Sequence, residues 1–329
     1  MIKLLAKVGI NGFFFSLIGM IIGAYFFPSF GSENSFLHLP QITYYGVSII
    51  FFFYGLKLNP EKLKNGLSNW RLHLLIQLTT FLLFPFIIIA TGYLFSIDTS
   101  SLLWLGIFYL AALPSTVSSS VVMVAIAGGN LPAAIFNASI SSIIGIFITP
   151  IWMSHLLKQQ DANFEISHVL VRLCLQVLMP VVVGFILHYQ LGKWAERFNS
   201  ALRLFDQLII LLIVYTSFCE SFASNMFHGY PITQIVVLSF WMLVFFLLML
   251  SIMNIVSHWL GFNRPDRITV LFCGSKKSLV QGAVMGKVLF PNPVLLGVVL
   301  LPLMIYHALQ LMLGSMIAQK MGQQENKTE

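Results

Sequence analysis

Charge is what this 329-residue chain has least of: Asp, Glu, Lys and Arg together make up 9% of it, against 58% hydrophobic residues. A soluble domain carries roughly 25% charged residues, so the chain lacks the material for a wetted surface, and lipid is its expected solvent. Acids are the scarcer sign, 11 against 18 basic side chains. The resulting formal charge of +7 does not indicate nucleic acid, because no basic cluster interleaves with aromatics. The positives sit in short gaps between apolar runs, a pattern that orients a chain in a bilayer. Only three cysteines occur, Cys174, Cys219 and Cys273. All lie inside apolar runs without metal-ligand spacing and read as small buried hydrophobes. No nucleotide-binding motif is present, which argues against ATP-driven chemistry by this chain alone. No Asp, Glu, His or Cys pair sits at the centre of an apolar run, which argues against an intramembrane enzyme.

What the chain does have is ten apolar runs, at about 8–28, 39–57, 70–95, 101–127, 131–156, 166–189, 203–222, 231–259, 266–289 and 293–318. Each holds the roughly 20 apolar residues that a helical crossing needs, and each is too long for a barrel strand. The first run follows Lys3 and Lys7 without a small-x-small cleavage site, so it is expected to be an uncleaved span. With the N-terminus inside, 13 of the 18 basic residues fall on the inner side, which predicts cytoplasmic termini. Five spans form each half, so residues 161–329 are expected to insert upside down relative to residues 1–160.

Two of these runs are interrupted at corresponding places. Span 4 contains Pro114 within Ala112-Leu-Pro-Ser-Thr-Val-Ser-Ser-Ser120, and span 9 contains Cys273-Gly-Ser-Lys-Lys-Ser278. Each break is followed by a half-helix and then a tight turn. Paired interruptions in inverted halves are a sequence pointer to the binding site of a secondary transporter. Lys276 lies nine residues past Arg267, about 13 Å at 1.5 Å per residue, close to the middle of a core about 30 Å thick.

A charge at that depth costs at least about 2.5–3.5 kcal/mol on insertion scales, so Lys276 and Lys277 should face a cavity or a partner. No acid is expected at their depth. A lysine there either loses its proton, binds an anion or leans on carbonyl dipoles. Adjacent residues point about 100° apart on an intact helix, so the two lysines are expected to face different surroundings. The candidate substrate-binding residues are Ser118, Asn137, Ser275, Lys276, Lys277, Ser278 and Gln281. The candidate ion-coupling residues are Ser119, Ser120, Asn137, Gln77, Thr80 and Lys276. The hydroxyls beside Pro114 can cap freed N–H groups or offer oxygens to an ion, and they can equally serve close helix packing. Asn137 is either an oxygen ligand or an interhelical hydrogen bonder.

On these residues the chain resembles the bile acid:sodium symporter superfamily, in its divergent branch of bacterial and animal members. The resemblance is carried by Phe52-Phe-Tyr-Gly-Leu-Lys-Leu58, Leu113-Pro-Ser-Thr-Val-Ser-Ser-Ser120, Gly128-Gly-Asn130, Ala134-Ile-Phe-Asn-Ala-Ser139 and Phe272-Cys-Gly-Ser-Lys-Lys-Ser-Leu279, and it covers nearly the whole chain. It implies an all-α polytopic membrane protein of ten transmembrane helices in two inverted five-helix repeats. It also implies a panel domain of spans 1, 2, 6 and 7, and a core domain of spans 3–5 and 8–10, in which discontinuous helices 4 and 9 cross. Carried over by motif, sodium ligands fall on Ser119, Ser120 and Asn137, and a span-3 glutamine falls on Thr80 or Gln77.

Span 9 departs from the family pattern. An acidic ligand is replaced by Phe272 and a glutamine by Lys276. The expectation is therefore a secondary active transporter of a small organic anion, working by alternating access, coupled to sodium or protons, with altered sodium sites. Lys276 is expected to stand in for a coupling cation and to gather the Ser119, Ser120 and Asn137 oxygens, with Lys277 less important. A non-transporting membrane sensor or regulatory protein of the same fold is the alternative. No cofactor beyond sodium is implied, the partners are an organic anion and the bilayer, and the oligomeric state is left open.

Overall fold

The computed structural model describes residues 12–31, 35–57, 69–160, 171, 174–223, 231–290 and 292–325, with the side chains of residues 12, 14, 118, 157–160, 174, 324 and 325 outside the description. Among these residues there is no strand, and all regular structure is helical. The helices are α1 (Gly12–Phe26), α2 (Leu39–Lys57), α3 (Trp70–Leu94), α4 (Leu102–Ala112), α5 (Ser118–Ala127) and α6 (Leu131–Gln160). They continue with α7 (Met179–Ile186), α8 (His188–Arg197), α9 (Asn199–Ala223), α10 (Ile232–Trp259), α11 (Arg264–Gly274), α12 (Leu279–Leu289) and α13 (Pro293–Glu325).

Among the described residues six helices are long and apolar enough to cross a membrane, and they coincide with expected spans 2, 3, 5, 7, 8 and 10. Expected spans 4 and 9 are the pairs α4–α5 and α11–α12, each broken as the sequence suggests. Spans 1 and 6 begin in residues outside the described set. The expected 190–203 loop is corrected: most of it is the helix α8, bent 96° from the apolar helix before it. Its charges and apolar residues segregate onto opposite faces, which suits an interfacial helix better than an open loop. Outward-facing Val237, Phe240, Trp241 and Leu248 on α10 are exposed, the apolar coat that a lipid-facing helix presents.

Local chemistry sets the boundaries. Pro114 disfavours the helical region for the residue before it, and Leu113 is extended (φ −74°, ψ 153°), so α4 stops at Ala112. Gly128 adopts φ 75°, the left-handed turn that ends α5. Side-chain oxygens of Asn69, Ser101, Asn263 and Ser278 accept N–H groups of the first turns of α3, α4, α11 and α12. Inside α3, Thr79–Leu83 forms a π-helical turn just before Pro85, which has no N–H to donate.

Packing brings the two breaks together. α7 packs on α2 through Gly55 and Gly184, where a Cβ on either would run into the other helix's backbone. α9 packs on α1 and α2 on one side and on α12 and α13 on the other. At one end of the molecule Asp266 binds the amides of Asn69 (2.8 Å) and Asn130 (2.7 Å), and Arg264 donates to the Met321 carbonyl (3.0 Å). The starts of α3 and α11, the α5–α6 turn and the last turns of α13 therefore share one face.

Candidate functional site at the helix crossing

The two unwound segments, 113–117 and 275–278, hydrogen-bond to each other directly. The Ser278 N–H donates to the Pro114 carbonyl at 2.9 Å, and the Ser115 hydroxyl donates to the Cys273 carbonyl at 2.6 Å. The Ser115 N–H is taken by the Ser141 hydroxyl at 3.0 Å. Both breaks are buried, so these bonds satisfy backbone groups that lipid would leave unpaired.

The hydroxyls at the start of α5 form one chain. Ser119 donates to the Thr116 hydroxyl (2.8 Å), Thr116 and Ser120 share a hydrogen bond (2.6 Å), and Ser120 donates to the Phe272 carbonyl (3.1 Å). On the other break, Ser275 donates to the Leu271 carbonyl (2.6 Å), and its own carbonyl accepts from Tyr306 (2.7 Å). Ser278 is spent as the α12 cap.

The lysines face different surroundings, as expected, and each has its own set of contacts. Lys276 is fully buried; its Nζ donates to the Ser119 backbone carbonyl at 3.2 Å and contacts the Met123 sulfur, 5.2 Å from the centre of the Phe272 ring. It does not gather the Ser120 and Asn137 oxygens. Asn137 is committed elsewhere: its Nδ2 donates to His73 Nδ1 (2.7 Å) and to the Ala133 carbonyl (2.9 Å), and its Oδ1 accepts from Gln77 (3.2 Å). The hydroxyls of Ser119 and Ser120 are thus engaged with Thr116 and the Phe272 carbonyl, and the Asn137 amide with His73, Gln77 and Ala133.

Lys277 has the better-formed surroundings. Its Nζ donates to the carbonyls of Thr80, Ala111 and Leu113, each at 2.7 Å, and lies 4.0 Å from the centre of the Phe84 ring. With all three donors used inside the protein, it has none left for an anion. Its backbone is clamped by Gln310, whose Oε1 accepts the Lys277 N–H (2.9 Å) and whose Nε2 donates to the Lys277 carbonyl (2.7 Å).

Beside the crossing lies a cavity of about 70 Å³ lined by residues including Tyr54, Lys57, Asp206 and Gln281, between α2, α9 and α12. Lys57 and Asp206 pair at 3.6 Å, and the buried Gln281 Oε1 has no partner among the described residues. The buried oxygens Gln77 Oε1 and Thr80 Oγ1 are likewise unpaired. Sequence reading singled out Gln281, Gln77 and Thr80. It did not single out His73, Phe84, Met123, Gln310 or the Lys57–Asp206 pair. Gln310, one residue in a 33-residue apolar helix, was the most visible signal left unused.

A crossing of two broken helices that buries two lysines, in an all-helical chain with helices apolar enough to cross a membrane, is the kind of site that secondary transporters build. Comparison with known proteins gives the family. Residues 11–323 match the model of the SBF-like CPA transporter family, and the chain belongs to that family. It is 36% identical to an uncharacterised protein of Pseudomonas aeruginosa over 94% of this chain and 92% of that one. It is 33% identical to YfeH of Escherichia coli, named there as a candidate symporter, over 97% and 95%. It is 32% identical to Sodium/bile acid cotransporter 7-B of Xenopus laevis, over 95% and 92%.

Proposed function

We propose that the chain is a secondary transporter that moves a small organic anion across the bacterial inner membrane by alternating access, driven by sodium or protons. The observation that carries this reading is Lys276. It is a fully buried lysine with one oxygen acceptor, one sulfur contact and no acid within hydrogen-bonding reach among the described residues. An ammonium has three donors, so an anion can complete its shell. The N-termini of α5 and α12 add positive potential at the same crossing. The cavity between Lys57 and Gln281 lies beside the first turns of α12, which follow the same break.

In this reading ten helices cross the membrane as two inverted repeats, residues 1–160 and 161–329. Spans 1, 2, 6 and 7 form a panel against which the core of spans 3–5 and 8–10 rocks, with both termini cytoplasmic. The packing of α7 on α2, and of α9 on α1 and α2, suits such a panel. The relatives named as sodium/bile acid cotransporters favour an organic anion with an apolar body. Ser119 accepts from Lys276 through its backbone carbonyl, and its hydroxyl opens the chain to Thr116 and Ser120. An ion there would have to replace their mutual bonds.

The test is a thermal-shift screen of organic anions in sodium and in potassium, followed by uptake into proteoliposomes. A hit should raise Tm by mass action and be taken up, and Lys276→Ala should abolish both. Binding without uptake would favour the non-transporting sensor. Binding and uptake unchanged in Lys276→Ala would remove the lysine from the site.

A further inference from the structure

We infer that the Lys277 head group is a tethered cation seated in a cation-binding cage of the helix crossing, and that the cage, once emptied, will take a free ammonium or alkali ion. The transport reading gives Lys277 no such role, and the inference holds or fails independently of that reading.

The cage is built by two helix defects. In an α-helix the Thr80 carbonyl would accept the Phe84 N–H. Here that N–H goes to Thr79 instead, and the next residue, Pro85, has no N–H to offer. The Thr80 carbonyl is thereby released from its own helix and turned to Lys277 at 2.7 Å. The second defect is the Pro114 break. The Ala111 carbonyl would ordinarily accept the Ser115 N–H, which is drawn off to Ser141 at 3.0 Å. The Leu113 carbonyl sits in the extended segment past the end of α4. Both are free to point at the lysine, also at 2.7 Å, from the negative end of a helix dipole. The Phe84 ring covers another side at 4.0 Å.

Donor counting favours the protonated head group. Three carbonyls at 2.7 Å need three N–H groups, which a protonated lysine has. A neutral amine has two, and would turn its lone pair on the third oxygen. Freed backbone carbonyls at the ends of broken helices are the ligands that transporters use for monovalent ions. Here the ion is attached to the chain. It links α3 and α4 to the 275–278 break, and Gln310 fastens the same residue to α13. The crossing thus carries its own cation and needs no sodium at this position to hold its carbonyls together.

The experiment is a cation titration of Tm on purified Lys277→Ala in nanodiscs at constant ionic strength, with ammonium, methylammonium, potassium, sodium and choline. The expected result is a lowered Tm that regains at least half its loss, saturably, in ammonium or methylammonium. Choline should give no recovery, and Lys276→Ala should show none with any cation. A Tm equal to that of the unsubstituted protein, or the same response to choline as to ammonium, would overturn the inference. Nitrogen NMR of lysine-labelled unsubstituted protein, with the two buried heads told apart by Lys276→Arg, covers the case in which Lys277→Ala does not fold. A slowly exchanging ammonium signal from Lys277 at neutral pH is expected, and a neutral amine signal would overturn it.

Discussion

The backbone N–H of Ser278 donates to the carbonyl of Pro114 at 2.9 Å, so each helix break is completed by the other. Residues 164 positions apart thereby supply what two interrupted helices cannot supply for themselves. The Ser115–Cys273 bond beside it, at 2.6 Å, is the side-chain part of the same closure. Ser115→Ala should leave the Cys273 carbonyl unpaired in a dry site and cost about 1–3 kcal/mol. Thermal unfolding in detergent measures it, and an unchanged Tm would mean that the crossing is held by packing alone.

Gln281 separates stability from binding. Its Oε1 is buried without a partner among the described residues and lines the cavity between α2, α9 and α12. Gln281→Leu removes that orphan, so Tm should hold or rise, while uptake should fall at least tenfold if a substrate uses the oxygen. A variant with both Tm and uptake reduced would mark Gln281 as a structural residue.

Asp266 joins three segments through Asn69 and Asn130, at the end where Arg264 reaches the last turns of α13. Asp266→Ala strands two half-buried amides and should destabilise the protein by about 1 kcal/mol or more. Hydrogen exchange should speed up first at residues 128–131, because the Asn130 N–H is also held there, by the Pro265 carbonyl and the Thr269 hydroxyl. Uniform acceleration along the chain would contradict a local latch.

Topology is tested with single cysteines in a cysteine-free background. Positions 196 and 263 should label from the cytoplasmic side only, and positions 99 and 292 from the outside only. Reversal of either pair would overturn the charge-based orientation. Labelling at position 196 should also show helical periodicity with its neighbours, since α8 replaces the expected loop.

The scarcity of charge and the lengths of the apolar runs were enough to place the chain in lipid as a bundle of helices. Proline at 114 and the small and basic residues at 274–277 were enough to locate two breaks. Both inferences rest on local physics: a backbone in hydrocarbon must satisfy itself, and a break inside a span needs a partner. The α8 helix escaped that reading because a short amphipathic segment next to a span looks polar by composition alone.

The sequence by itself therefore determined the solvent, the helical class, the position of the breaks and the presence of two cations too deep to be accidental. Which cation does what was decided by tertiary structure. The 100° rule for neighbouring residues holds on an intact helix, and residues 275–278 are not one. Once unwound, Lys277 reaches carbonyls released by Pro85 in α3 and by the Pro114 break, partners 164 to 197 positions away in the chain. Lys276 turns to α5 and keeps donors to spare. Asn137, one helical turn from Ser141, looked like part of the same site. Its amide goes to His73 and Gln77 because α3, packed against α6, offers those partners first. No local pattern records such choices, since they depend on which carbonyls two distant helix defects leave free at one point in space.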